Sequence, residues 1–202
     1  MLDVERPFHY RVPRLVKASR CKEWRAFQFG NRRWHFFTAL YEAKCFGFAV
    51  FIAWDRERNK SWEFKRVWPV RSFGIGERID GEVIGYHNRS TAISYKTDLT
   101  GGEIRIDASR AGQHTLPRWL ASFGGIVVAA TRKDRLPGSF SGAFLLSYNT
   151  RQSAPSTVCL PLGLNRAMYS TKVLMPMQGW FEVAGERVDF EGPDCMGIMD
   201  DH

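Results

Sequence analysis

Cysteine is scarce and scattered in this chain of 202 residues: Cys21, Cys45, Cys159 and Cys195 lie far apart and form no C-x-x-C pair. That spacing excludes the usual zinc and dithiol motifs, so buried thiols are expected and no metal is. Long hydrophobic runs are also missing, and no basic stretch leads into an apolar one at the start. The expectation is therefore a chain with no membrane span, cytoplasmic in location. The Asn88–Ser90 sequon, N-R-S, lacks the secretory route that glycosylation needs. A helical period is nearly absent; only Arg14–Phe27 could hold a turn or two. Repeats and low-complexity segments do not occur, nor does a Walker loop or H-E-x-x-H. "GIGERI" at Gly74–Ile79 lacks the third glycine of a dinucleotide fingerprint, and the serines of "GSFSG" at Gly138–Gly142 sit wrongly for a nucleophile elbow. No cofactor is implied.

Aromatic residues are plentiful, at 14% with seven Trp and fifteen Phe, more than a helical bundle needs and well suited to pleated, half-buried surfaces. Lysine and arginine number 29 against 21 acids, a net charge of +8. Basic and aromatic residues interleave in Arg11–Arg25, Asn31–Trp34 and Phe64–Arg71. Such stretches can bind single-stranded nucleic acid, but a solvated strand face with aromatics turned inward explains them more simply, and no nucleic-acid partner is expected.

The strand signal is period two. In "FGFAVFIAW", Phe46–Trp54, bulky even positions alternate with mostly small odd ones, so both sides of the strand can be covered. "WHFFTALYE" precedes it, and "WEFKRVW" follows the charged turn Asp55–Lys60, which makes a three-strand meander. "AISYK", "EIRIDA", "GGIVVAA", "AFLLSY", "TVCLPL", "GWFEV", "ERVDF" and "CMGIM" supply further short runs between Gly, Pro, Asn and Asp breaks. Trp180–Phe190 reads as a hairpin turning at Ala184-Gly185-Glu186. The predicted fold is mainly β with little helix: an antiparallel sheet, strongly curved or closed into a barrel with a filled or ligand-sized interior.

Two clusters carry candidate chemistry. In "NRAMYSTKVLMPMQG", Asn165–Gly179, polar Arg166, Tyr169, Ser170 and Lys172 stand amid methionines. If the segment is extended, Tyr169, Thr171 and Val173 share one face while Ser170 and Lys172 share the other. A lysine facing a barrel interior would need a carboxylate or a ligand; otherwise it sits exposed at a rim. The second cluster is Asp200-Asp201-His202, which has the residue types for proton transfer. In a strand, Asp200 and His202 would share a face and Asp201 would look the other way. Asp200, Asp201, His202, Lys172 and Tyr169 are the candidate catalytic residues. Arg166, Ser170 and the rings of Trp34, Trp54 and Trp62 are the candidate ligand contacts.

The segments Lys22–Trp34, Tyr41–Lys60, Arg166–Gly179 and Phe190–His202 together resemble an uncharacterised bacterial family, domain of unknown function 2804, in order and spacing from about Lys17 to His202. The resemblance implies that the acidic segment continues into a Lys-Gly-Tyr-Tyr-Pro run and a further β-rich portion, so that this chain is truncated after the Asp-Asp-His motif. It also implies a distant similarity to two-lobed lipocalin-like (calycin-like) carotenoid hydratases. On that reading residues 1–33 are a segment packing on the barrel, and residues 34–202 are one lobe missing its partner. Two functions follow. The first is a module binding an apolar or amphipathic small molecule. The second is a cofactor-independent hydratase, isomerase or lyase, in which Asp200 or Asp201 protonates the substrate, His202 relays the proton, and Lys172 or Tyr169 stabilises charge. If a missing portion pairs with Cys195–Met199, that strand presents an unpaired edge and self-association is expected.

Overall fold

The computed structural model describes residues 22–43, 46–69, 73, 75, 79–111, 139–163 and 166–201. They form β1 (Glu23–Gly30), β2 (Trp34–Glu42), β3 (Phe46–Asp55), β4 (Lys60–Pro69), β5 (Val83–His87), β6 (Thr91–Asp98), β7 (Glu103–Arg110), β8 (Phe140–Ser147), β9 (Ser156–Gly163), β10 (Arg166–Val183), β11 (Glu186–Phe190) and β12 (Met196–Asp201). No helix occurs among the described residues, so none there is long and apolar enough to cross a membrane. The run "GGIVVAA", residues 124–130, lies outside them.

All pairings are antiparallel, in the order β4-β3-β2-β1-β12-β10-β8-β7-β6-β5, with β9 and β11 added along β10. Two meanders are thus joined through β12 and β10. The sheet curls on itself: Phe51 of β3 stacks on Phe140 of β8 at 5.0 Å, and Phe64 of β4 on Tyr86 of β5 at 5.8 Å. The first and last strands of the path therefore meet ring to ring. This is the mainly β, antiparallel, strongly curved sheet that the alternation predicts.

Period two decides which side chains enter the concave face. Phe27 and Phe29, Trp34, Phe36 and Leu40, Ile104 and Ile106, Phe144 and Leu146, and Val173, Met175 and Met177 are all buried there. On β3 the inward row is the small one, Gly47, Ala49, Phe51 and Ala53, while the bulky row faces outward. The reason is crowding, since the rings of Phe36, Phe144, Phe181 and Phe190 already fill the space at centroid separations of 4.9 to 6.0 Å. On the convex side Ala26, Ala39 and Val50 form a second small cluster with Phe37, Phe48 and Ile52. Strands β1 to β3 thus carry apolar residues on both faces along their middle, whereas β6 and β7 turn Lys96, Asp98, Arg105 and Asp107 outward.

Strand β1 is ladder-paired on one side to β2 and on the other to β12, and residues 1–21 lie outside the described residues. One feature differs from the sequence reading: Cys195–Met199 does not present an open edge, because β12 is central, paired to β1 and β10. Among the described residues β4, β5, β9 and β11 each pair with one strand, and β9 does so along β10.

Candidate functional site

Residues of one parity on β1 and β2 run along the concave face from charge to aromatic: Glu23, Arg25, Phe27, Phe29 on β1, and Glu42, Leu40, Thr38, Phe36, Trp34 on β2. At the charged end Arg25 is 1% exposed. Its Nε donates to Asp201 Oδ1 at 2.7 Å, and its Nη1 to Glu82 Oε2 at 3.3 Å. Register makes this possible, because Arg25 lies directly across from Asp201 in the β1–β12 ladder. A guanidinium taken from water needs such partners, since an unpaired buried charge costs several kcal/mol.

A phenol sits beside this pair. Tyr95, fully buried on β6, lies 2.6 Å from Thr38 Oγ1, which is 2.9 Å from the Val50 carbonyl. The threonine has one proton and the carbonyl can only accept, so Thr38 donates to Val50 and Tyr95 donates to Thr38. Burial raises the Tyr95 pKa strongly, against opposing effects of that hydrogen bond and of the Arg25 charge. The phenol therefore holds its proton throughout the ordinary pH range.

At the aromatic end Trp34 and Trp62 are 1% and 3% exposed and stack on each other at 5.6 Å. Neither indole Nε1 has a hydrogen-bond partner among the described residues. Leaving such a donor unpaired costs about 1–3 kcal/mol. A charged cap closes this end. Asp55, wholly buried, accepts from Arg33 Nη2 at 2.7 Å and from the backbone N–H groups of Glu57 and Arg58, while Glu186 bridges Arg58 and Arg33. The Arg33 hydrogen bond, opposed by burial, holds the Asp55 carboxyl below the usual carboxylate range.

The residues singled out from sequence divide between the two faces. Asp201 reaches the concave face. Tyr169 shares its parity through Thr171, which pairs with Asp201 and whose hydroxyl lies 3.4 Å from the Tyr169 oxygen. Asp200 and Lys172 lie on the convex side, where Lys172 Nζ donates to Asp200 at 2.7 Å and Ser170 Oγ donates to it at 3.2 Å. Lys172 is thus the rim lysine rather than an interior one. Trp54 is on the convex face, 39% exposed, with Arg56 over its ring. Trp34 and Trp62 are concave. His202 and the side chain of Arg166 lie outside the described residues. Sequence reasoning missed Arg25, Thr38, Glu82 and Tyr95. Period two alone could have placed Arg25 beside Phe27 and Phe29, and Thr38 between Phe36 and Leu40. Nothing local marks Glu82.

The fold and site together define an aromatic-cored antiparallel sheet with a buried ionic cluster at one end. No family profile matches the chain, and no curated protein sequence does. Among solved structures it is similar to kievitone hydratase from Nectria haematococca, with 10% identity and a TM-score of 0.38. The match covers 92% of this chain and 48% of that one, so the chain spans about half the length of that protein.

Proposed function

We propose that this chain binds an apolar or amphipathic small molecule at the Arg25 end of its concave face. The observation that carries this reading is a guanidinium only 1% exposed, between two carboxylates, on a face that runs from the buried Glu23 and Glu42 to aromatic rings. Of the ion pairs to Asp201 and Glu82 the one to Glu82 is the longer, and Glu82 is the more exposed partner, at 18% against 13% for Asp201. An anionic head group would replace Glu82 while Asp201 keeps Arg25 oriented, and the chain of the molecule would lie against Phe27 and Tyr95. Apolar burial at about 25 cal/mol per Å² favours a long chain, and the charge fixes its direction. The test is dodecanoic acid followed by native mass spectrometry and calorimetry. Wild type and Lys172→Met are expected to bind it, and Arg25→Met to bind it at least tenfold more weakly. Equal binding by all three proteins would discard the assignment.

A second reading, acid–base addition or isomerisation on an apolar substrate without a cofactor, draws support from Asp201, a carboxylate sharing the concave side with Tyr169 and the proton-holding Tyr95. In this reading Asp201 exchanges the proton and Tyr169 steadies the developing charge. Turnover of an apolar alkene or enone that is lost in Asp201→Asn and kept in Asp200→Asn would support it. Equal loss in both would count against it.

A further inference from the structure

The Trp34–Trp62 pair lies at the other end of the concave face from Arg25. Arg25 pairs with Leu40, and Trp34 is six residues further along β2, about 20 Å away at strand rise. Whatever happens at Arg25 therefore leaves these rings out of direct contact.

Three observations converge on the pair. Both indole N–H groups are buried and have no hydrogen-bond partner among the described residues. The rings belong to a column in which Phe36 stacks on Trp34 with planes 8° apart and Trp34 on Trp62 with planes 25° apart, while Phe181 meets Trp34 edge-on. Two cations border the rings, with Lys60 Nζ 5.0 Å from the Trp62 ring and Arg33 Cζ, paired to Asp55, 5.6 Å from the Trp34 ring.

Two N–H donors among ring faces call for an atom that accepts twice and donates nothing. A carbonyl oxygen does that with its two lone pairs. A hydroxyl or a water carries protons of its own, which the surrounding Phe36 and Phe181 rings do not accept well. A carboxylate would have to shed its hydration to enter, and Arg33, the nearer guanidinium to Trp34, is already committed to Asp55. We infer that Trp34 and Trp62 form a two-donor site for the carbonyl oxygen of an apolar ligand, with the aromatic column supporting its carbon skeleton. This site is separate from the Arg25 site and does not depend on it.

Acetophenone and ethylbenzene test the inference, because they differ essentially in the oxygen. With the full chain labelled at its tryptophan indoles, seven N–H resonances report. Acetophenone is expected to shift two of them, which vanish respectively in Trp34→Phe and Trp62→Phe, and ethylbenzene is expected to shift neither comparably. Each substitution keeps a ring and removes a donor, so each should weaken acetophenone binding about tenfold and leave ethylbenzene binding unchanged. If one variant fails to fold, the other and the wild-type shifts still decide. Equal affinity for both probes without movement of these indoles overturns the carbonyl site. So does no binding of either probe. Neither result bears on dodecanoic acid at Arg25, which is read separately.

Discussion

Asp200 and Asp201 are adjacent in sequence and opposite in surroundings. Asp201 holds a guanidinium that is almost wholly buried, whereas Asp200 pairs with Lys172, itself 47% exposed. Breaking a buried pair leaves a charge short of a partner, so Asp201→Asn should cost about 3 kcal/mol in urea unfolding. Asp200→Asn should cost less than about 1 kcal/mol, since water screens the exposed partner. Equal costs would contradict the two-face assignment. Asp55 adds a pH dependence. Its folded pKa is depressed by the Arg33 hydrogen bond, so its stabilisation is present above the unfolded value of about 4 and is lost as pH falls through the folded one. Melting temperatures from pH 6 to pH 2 should fall more steeply for wild type than for Asp55→Asn. At this scale the sequence yields parity but not partners. The opposed faces of Asp200 and Asp201 follow from strand geometry alone. That Arg25 would find Asp201, 176 residues away, depends on β12 lying between β1 and β10, which nothing local encodes.

Elements were more legible than residues, because alternation and turn chemistry act within a few positions. The hairpin at Ala184-Gly185 has both residues at positive φ, 54° and 79°, as a two-residue turn between twisted strands requires. Asn31 accepts from the N–H groups of Arg33 and Trp34 and so fixes the entry to β2. Less legible was β10. The sequence offers Asn165–Gly179 and "GWFEV" as separate segments, but one strand continues through Pro176 and Gly179 for 18 residues. Pro176 falls where the β12 ladder ends, β8 takes over from Met177, and β11 joins at Gly179. Gly179 has φ +153°, and a Cβ there would lie 2.2 Å from the Ala143 carbonyl oxygen. Gly179→Ala should therefore destabilise the protein by more than about 2 kcal/mol, with amide protection lost first at Phe144 and Ala143, whereas Gln178→Ala beside it should stay within about 0.5 kcal/mol. Hydrogen exchange resolved by residue separates the two.

For the whole molecule, the curled sheet brings its ends together ring to ring and places its interior strands between partners, while β9, like β11, is laddered to β10 alone among the described residues. Ser156 to Leu160 are exposed, Val158 and Leu160 by more than two-fifths, and Met168 and Leu174 continue their row on the same face of β10. A strand with an open edge and apolar side chains invites another strand. The segment "STVCLPLG" carries no charge, so a two-fold antiparallel pairing with a second copy sets no like charges against each other, and Pro161 confines that pairing to the residues before it. Sedimentation across a hundredfold concentration range should then show reversible dimerisation. Val158→Lys should move the equilibrium to monomer at all concentrations while leaving the urea midpoint within about 0.5 kcal/mol of wild type, because the side chain supports nothing inside the sheet. A wild-type protein that stays monomeric across the range would mean that the edge is protected by other means. A Val158→Lys variant that dimerises as before would place the contact on the apolar convex face of β1 to β3 instead.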